Sequence, residues 1–312
     1  REGYCWYASI AGSKSSQGYH PHYSVYCEAP DRLQAGSAPQ PPITTGPIIT
    51  GLPITSFQDR AGTMWIGLED GLVRISRIGS GITTWRHDPH DPTTLSELRI
   101  RSVLVSTEGV LWVSTDYGLN RYNPQSHGWI RFYAGDTTRG ALPNSTVNVI
   151  YQGADGRLLF GTNGGMAAYD ERRSRFYDPL PRLRQLDGAR PIVWSILRDR
   201  KGLLWIGTRY EGIAQCGADG NLIQWFRNDP NDHKSILASG VWSMLEDRRG
   251  NIWAATDEGL CRFVPEEKAF RRYVHQKGND RSICGSRIWS IYEDRNGEIW
   301  VTSFGGGISR YN

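Results

Sequence analysis

Short runs of β-branched and aromatic residues, separated by turns rich in glycine, aspartate and asparagine, follow one another along most of this chain. Residues 241–274 show the pattern clearly, with runs at 241–246, 251–256, 260–263 and 269–274. Runs of this composition and length predict β-strands. No stretch carries a sustained apolar period of 3.6 residues, so we expect few helices.

The pattern returns six times with a period of about 47 residues. Each copy places a large apolar residue after a tight turn, and four of the six turns have the frame Asp-x-x-Gly-x-x-Trp. Ser106 replaces the aspartate in the second copy, and the third keeps Gly156. The six anchor residues are Trp65, Trp112, Leu159, Trp205, Trp253 and Trp300. A fixed period of this length with four antiparallel strands per unit predicts an all-β fold, a β-propeller of six four-stranded blades.

One four-stranded sheet cannot bury both of its faces, whereas sheets arranged around an axis cover one another. Large aromatic residues dominate the energetics of such packing, so we expect the anchor column to form the core between blades.

The two ends of the chain depart from the repeat. We assign residues 1–53 to an N-terminal segment and residues 54–312 to the propeller, whose sixth copy stops at its third strand. An open ring would leave strand edges unpaired, so we expect a strand from residues 40–54 to complete the last blade. The alternative is a seventh blade, made partly by residues 1–53 or by sequence beyond residue 312.

The five cysteines show no spacing typical of a zinc site, and we predict neither a metal nor a cofactor. Cys261 lies in a predicted strand and is expected to be a small core residue. Two aromatic runs, 4–7 and 23–27, can pair as a hairpin. We hypothesise a disulfide between Cys5 and Cys27, which would require an oxidising compartment.

Composition and charge narrow the class of partner. The chain has 312 residues, of which 38% are hydrophobic, and 12 tryptophans, enough for a substantial core. Its formal charge of +4 is spread along the sequence without a Lys/Arg cluster, so we expect no nucleic-acid partner. No apolar run approaches about 18 residues, so we expect no membrane insertion by this chain. It begins at Arg1 without an apolar leader, so any targeting segment is expected to be removed or to lie outside this sequence.

Three motifs carry a resemblance to a known family. The segments 245–253 (LEDRRGNIW) and 115–123 (TDYGLNRYN) resemble the two-component regulator propeller repeat, and the link at 85–96 (WRHDPHDPTTLS) is typical of the same family. The resemblance covers residues 54–312. It implies a periplasmic or extracellular sensor region, placed in a longer protein ahead of a membrane helix and a histidine kinase or diguanylate cyclase. Many such regions detect oligosaccharides, so the implied partner is an oligosaccharide or another small molecule, and a dimer of the longer protein stays open.

The chemistry of the repeat varies at one position, eleven residues before each anchor. This position begins the innermost strand, near one mouth of the central channel. Aromatic rings suit the apolar face of a sugar, while arginine and asparagine supply directed donors. The column reads Ile54, Arg101, Asn148, Trp194, Trp242 and Trp289, and we predict the last five as ligand-binding residues. The alternative is a purely structural role, in which these tryptophans only pack between the inner strands.

The turn between the second and third strands is the other variable set. Charged residues on a turn are usually only solvated. Long or aromatic side chains are costly to expose without a partner. We therefore add four turn residues to the predicted ligand-binding set: Tyr117, Arg209, Tyr210 and Phe304.

Two other functional classes stay open. Propellers also serve as lyases and glycosidases, but the sequence lacks G-x-S-x-G and H-E-x-x-H, and we assign no catalytic residue. A lyase pair of Tyr210 with a linker histidine has no further support in the sequence. A protein-interaction scaffold would show exposed aromatic residues on a flat rim rather than in a concave mouth.

Overall fold

The computed structural model describes residues 52–311 apart from 77–80, 137–140 and 186, together with the backbone of two N-terminal strands. These strands, β1 (Cys5–Ser15) and β2 (Gly18–Glu28), pair as an antiparallel hairpin. The register sets Cys27 opposite Trp6 and Cys5 opposite Glu28. The side chains of the hairpin lie outside the described residues, so the Cys5–Cys27 disulfide stays a prediction.

Each of the six repeats folds into one antiparallel sheet, and the strands of a sheet follow one another in chain order from the centre outward. Blades one to three consist of β3 (Pro53–Gln58), β4 (Met64–Leu68), β5 (Gly71–Ile75) and β6 (Ile82–Trp85); β7 (Ile100–Val105), β8 (Leu111–Thr115), β9 (Gly118–Asn123) and β10 (Gly128–Phe132); and β11 (Val147–Gln152), β12 (Leu158–Thr162), β13 (Gly165–Asp170) and β14 (Arg175–Tyr177). Blades four to six consist of β15 (Val193–Arg198), β16 (Leu204–Thr208), β17 (Ile213–Cys216) and β18 (Leu222–Phe226); β19 (Val241–Glu246), β20 (Ile252–Thr256), β21 (Gly259–Val264) and β22 (Ala269–Tyr273); and β23 (Ile288–Glu293), β24 (Ile299–Ser303) and β25 (Gly307–Tyr311).

The predicted fold class is confirmed: the chain forms a six-bladed β-propeller, and the part of it that the structure describes contains no helix. Among the described residues, five blades have four strands, while blade six has three, of which β25 is the last. The strand expected to complete it from residues 40–54 falls mostly outside the described residues, and Pro53 already belongs to β3 of blade one. A seventh blade built from residues 1–53 or beyond residue 312 also stays a prediction.

The core lies between adjacent blades, and five of the six predicted anchor residues are buried in it; the exception is Trp300 of blade six, which is only partly buried. Trp112, for example, is fully buried and packs with Ile150 and Leu158 of blade three. The second strands of blades one to five are buried along their whole length. Close approach of the sheets requires glycine at some positions: a Cβ added at Gly207 would lie 2.8 Å from Val241 Cγ1 of the next blade.

The Asp-x-x-Gly-x-x-Trp frame has a second role that the sequence analysis missed. In blade four, Asp199 Oδ1 accepts the backbone N–H groups of Lys201 and Leu203, each at 2.9 Å, and Oδ2 accepts the indole N–H of Trp205 at 2.9 Å. One carboxylate therefore closes the turn and satisfies the polar atom of a buried tryptophan. The same three bonds are made by Asp59, Asp247 and Asp294.

Candidate functional site

Every innermost strand contains a β-bulge at the variable position found in the sequence. In blade four the register shifts between Val193 and Ser195, which leaves Trp194 without a residue opposite it in β16. A bulge adds one residue to a strand and re-aims its side chain. The six bulged residues are Ile54, Arg101, Asn148, Trp194, Trp242 and Trp289.

These six residues converge on one central cavity of about 520 Å³. Its volume falls in the range of roughly 300–1,000 Å³ that is usual for ligand pockets. The remaining lining comes mainly from the same inner strands and includes Arg99, Ser243 and Ser290. The structure therefore brings together all five inner-strand residues that the sequence analysis proposed.

The aromatic wall of the cavity is a stack of three indoles from blades four, five and six. The ring centroids of Trp194 and Trp242 are 3.9 Å apart, and those of Trp242 and Trp289 are 4.6 Å apart. Trp242 thus has an indole on each face and also donates its N–H to Asp257 Oδ1 at 3.0 Å. The indoles pack on one another and line the cavity at the same time, so both sequence alternatives describe part of their environment.

The polar wall lies on blades two and three. Arg101 pairs with Asp116 and donates from Nη1 to Asn148 Oδ1 at 3.1 Å. Asn148 donates from Nδ2 to Asn163 Oδ1 at 2.9 Å and to the carbonyl oxygen of Val193 at 3.0 Å. These bonds fix both side chains across neighbouring blades, and a fixed polar group needs little reordering when a ligand binds.

A turn residue fifteen positions later contacts the bulged residue in each of blades two to six. The contact is an ion pair, a hydrogen bond, a cation–π contact or a ring contact, depending on the blade. The pairs are Arg101 with Asp116, Asn148 with Asn163, Trp194 with Arg209, Trp242 with Asp257 and Trp289 with Phe304. The two variable sets of the sequence are therefore structurally linked.

The four predicted turn residues lie around the cavity rather than in its lining. Arg209 lies over Trp194 at one end of the indole stack and also contacts the ring of Tyr210. At the opposite end, the ring centroids of Phe304 and Trp289 are 6.4 Å apart. Tyr210 and Phe304 are 57% and 70% exposed, which leaves area for a ligand. Tyr117 is apart from the stack and packs against Tyr133.

Sequence reasoning missed Arg99 and Arg287, which stand two residues before the bulged residues of blades two and six. Arg99 lines the cavity. Arg287 contacts Asp257 at 3.2 Å and lies over the ring of Phe304. Both arginines immediately precede the innermost strand of their blade, which begins at Ile100 or Ile288, so the alternation of the strand gave no signal for them.

The described part of the chain offers few groups for a metal site or for catalysis. Residues 52–311, with their gaps, contain no cluster of three or more His, Cys, Asp or Glu side chains able to hold a metal ion. The cavity lining includes no histidine among these residues, and no hydrogen bond joins Tyr210 to one. Cys261 is fully buried, and burial raises the pKa of its thiol to about 12. No helix in the described residues is long and apolar enough to cross a membrane.

Fold and cavity together define a β-propeller with a ligand-sized central opening. Segments 141–164, 189–210, 235–258 and 282–305 match the family model of the two component regulator propeller. Blades three to six thus carry the repeat of this family, and the resemblance expected from the sequence is confirmed. Among curated proteins, none matches the sequence.

Solved structures with the same fold include two extracellular domains from B. thetaiotaomicron. That of BT4673, assigned as a one component system, is 23% identical with a TM-score of 0.70, over 98% of this chain and 39% of that one. That of BT3049, assigned as a hybrid two component system, is 19% identical with a TM-score of 0.67, over 96% and 39% of the two chains. This chain therefore spans about two fifths of either domain.

An enzyme also shares the architecture. A catalytically inactive virginiamycin B lyase from Staphylococcus aureus, solved with quinupristin, is 12% identical with a TM-score of 0.62, over 99% of both chains. At these identities the likeness shows a common fold.

Proposed function

We propose that this chain is the ligand-binding region of a periplasmic or extracellular sensor, and that its central cavity receives a small molecule, foremost an oligosaccharide. One observation carries the proposal. The positions whose chemistry changes from blade to blade converge on a single cavity through six equivalent bulges, while the packing positions around them stay alike. Differing side chains that meet at one concave surface are what recognition requires and what packing alone does not.

The chemistry of the cavity suits a sugar. Trp289 is 38% exposed at one end of the indole stack, beside the exposed ring of Phe304, so an aromatic surface is open to the apolar face of a pyranose. Arg101 uses Nε and Nη1 on Asp116 and Asn148, which leaves further N–H donors for hydroxyl groups. Both faces of the Trp242 indole are covered by its neighbours in the stack. Trp242 therefore supports the site, and Trp289 at the end of the stack offers the surface on which a sugar can lie.

Location and context rest on the comparisons. The repeat family is named for two-component regulators, and two of the structural neighbours are extracellular domains. Because the chain spans about two fifths of those domains, sensing by this propeller would serve a longer protein that carries the signalling part. A dimer of that longer protein is part of the same proposal.

A thermal-shift screen of neutral and acidic oligosaccharides tests the proposal. A ligand that binds only the folded chain stabilises it by about 2.7 kcal/mol at a hundred times its Kd, so a binder raises Tm measurably. We expect Trp289→Ala to lose the shift. Tyr292→Ala is the matched control, because Tyr292 lies in the same strand, is 62% exposed and does not line the cavity. A shift that both variants retain would contradict binding in the cavity.

A further inference from the structure

The guanidinium of Arg209 contacts two aromatic rings at one end of the indole stack. Its Cζ atom lies 5.1 Å from the ring centroid of Trp194 and 5.0 Å from that of Tyr210. Trp194 is itself fixed by its stacking on Trp242. Cation–π contacts with two rings restrain the guanidinium and leave its N–H groups as the chemically available part.

Within the described residues, those N–H groups have no acceptor. The side chain of Arg209 makes no hydrogen bond or ion pair there, and only its backbone N–H donates, to the carbonyl oxygen of Ile192 at 3.0 Å. Two nearby arginines that also lie over aromatic rings are both occupied: Arg227 donates to Glu211 Oε2 at 2.6 Å, and Arg287 contacts Asp257 Oδ1 at 3.2 Å. A restrained guanidinium with free donors matches the geometry of a carboxylate or a sulfate group.

The surroundings favour an anionic group over a neutral one. Trp194 lines the cavity, so Arg209 stands one side chain away from it. The cavity lining contains two arginines, Arg99 and Arg101, and, within the described residues, no acidic side chain. Asp116, which pairs with Arg101, lies 3.9 Å from Arg99 and so offsets only part of this charge.

We propose that Arg209 binds an anionic group, a carboxylate or a sulfate ester, of a ligand whose remaining part occupies the central cavity. The recognised class is then an acidic oligosaccharide, an inference that rests on the function proposed above. Trp194 and Tyr210 act as positioning residues, since they orient the guanidinium.

Calorimetric titration of the 312-residue chain with matched sugar pairs tests this assignment. One pair is a galacturonate trisaccharide and its methyl ester, and the other is a sulfated galactan trisaccharide and its desulfated form. We expect the acidic member of at least one pair to bind about tenfold or more tightly than its neutral partner, as a charge-assisted hydrogen bond would give. The pair that shows the preference tells a carboxylate from a sulfate.

Variants separate the role of Arg209 from a general charge effect. Arg209→Gln is expected to abolish the preference by weakening the binding of the acidic member. Tyr210→Leu keeps the charge but removes one ring, and is expected to reduce the preference several-fold. Arg310→Gln is the matched control: Arg310 lies over Trp300, pairs with Glu298 and does not line the cavity, so the preference should persist.

The results that would contradict the role of Arg209 differ from the results that would contradict the proposed function. Equal affinity for both members of both pairs, a preference that survives Arg209→Gln, or no binding of any of the four sugars would overturn the assignment of Arg209. The proposed function would still stand if another member of the wider panel binds and loses affinity in Trp289→Ala.

Discussion

Trp112 is fully buried, yet its indole N–H has no hydrogen-bond partner within the described residues, because Ser106 stands where blades one, four, five and six have an aspartate. The serine hydroxyl accepts only the backbone N–H of Val110, at 3.2 Å. A buried donor without an acceptor costs stability. Blade two therefore lacks a bond that blades one, four, five and six possess.

Ser106→Asp should supply the missing acceptor. We expect the free energy of unfolding to rise by about 1 kcal/mol, the net value of one hydrogen bond of this kind. Chemical denaturation of the variant measures the gain. Combined with Trp112→Phe, which has no N–H to satisfy, the gain should vanish; an equal gain in both backgrounds would rule out this bond as its source.

The acid sensitivity of the fold should depend on the turn aspartates. Burial raises the pKa of Asp247, but hydrogen bonds from Trp253, Asn251 and the turn backbone outweigh it, so the pKa lies below its ordinary value of 3.8. A group with a lowered folded-state pKa stabilises the protein above its unfolded-state pKa, and this stabilisation is lost as pH falls through the folded-state value.

We therefore expect the stability of the wild type to decrease as pH falls below about 4, and Asp247→Asn to show a shallower decrease. Denaturant titrations from pH 6 down to pH 2 compare the two proteins. Parallel curves would mean that the Asp247 carboxylate does not contribute to the pH dependence.

Packing between blades four and five should depend on the absence of a side chain at Gly207. Gly207→Ala would place a methyl group 2.8 Å from Val241 Cγ1 of blade five and against Ser195 Oγ of its own sheet, and we expect a loss of about 1–3 kcal/mol from overpacking. Gly81→Ala is the control, since a Cβ there meets no atom of the described residues within 4 Å. Thermal unfolding of both variants measures the difference, and similar Tm values would show that the sheets adjust without cost.

Much of the fold follows from the sequence because the same pattern of turn residues and core residues recurs six times. The period, the anchor tryptophans and the turn glycines predicted the blades, and the structure confirms them. Trp205 was correctly placed in the core, but its bond to Asp199 was missed, since a pattern shows which residues recur and not which atoms meet.

The candidate site could be predicted only in part. The column of Arg101 and Trp242 was visible because its chemistry varies at a fixed place in the repeat. The β-bulge that turns this column towards the cavity was not visible in the sequence, because the same residues could equally continue a regular strand. Stacking of Trp194 on Trp242 and the position of Arg209 above it depend on how neighbouring blades are set around the axis, which no single repeat encodes.

The most direct measurement of the central claim is calorimetric titration of the wild type, Trp242→Ala, Trp289→Ala and Tyr292→Ala with an oligosaccharide that raises Tm in the screen. If the bulged residues form the recognition surface, both tryptophan variants stay folded by circular dichroism and lose binding, while Tyr292→Ala binds like the wild type. Unchanged affinity in folded Trp242→Ala and Trp289→Ala would show that the indole stack only packs the centre of the propeller, and the account of the cavity as a binding site would be wrong.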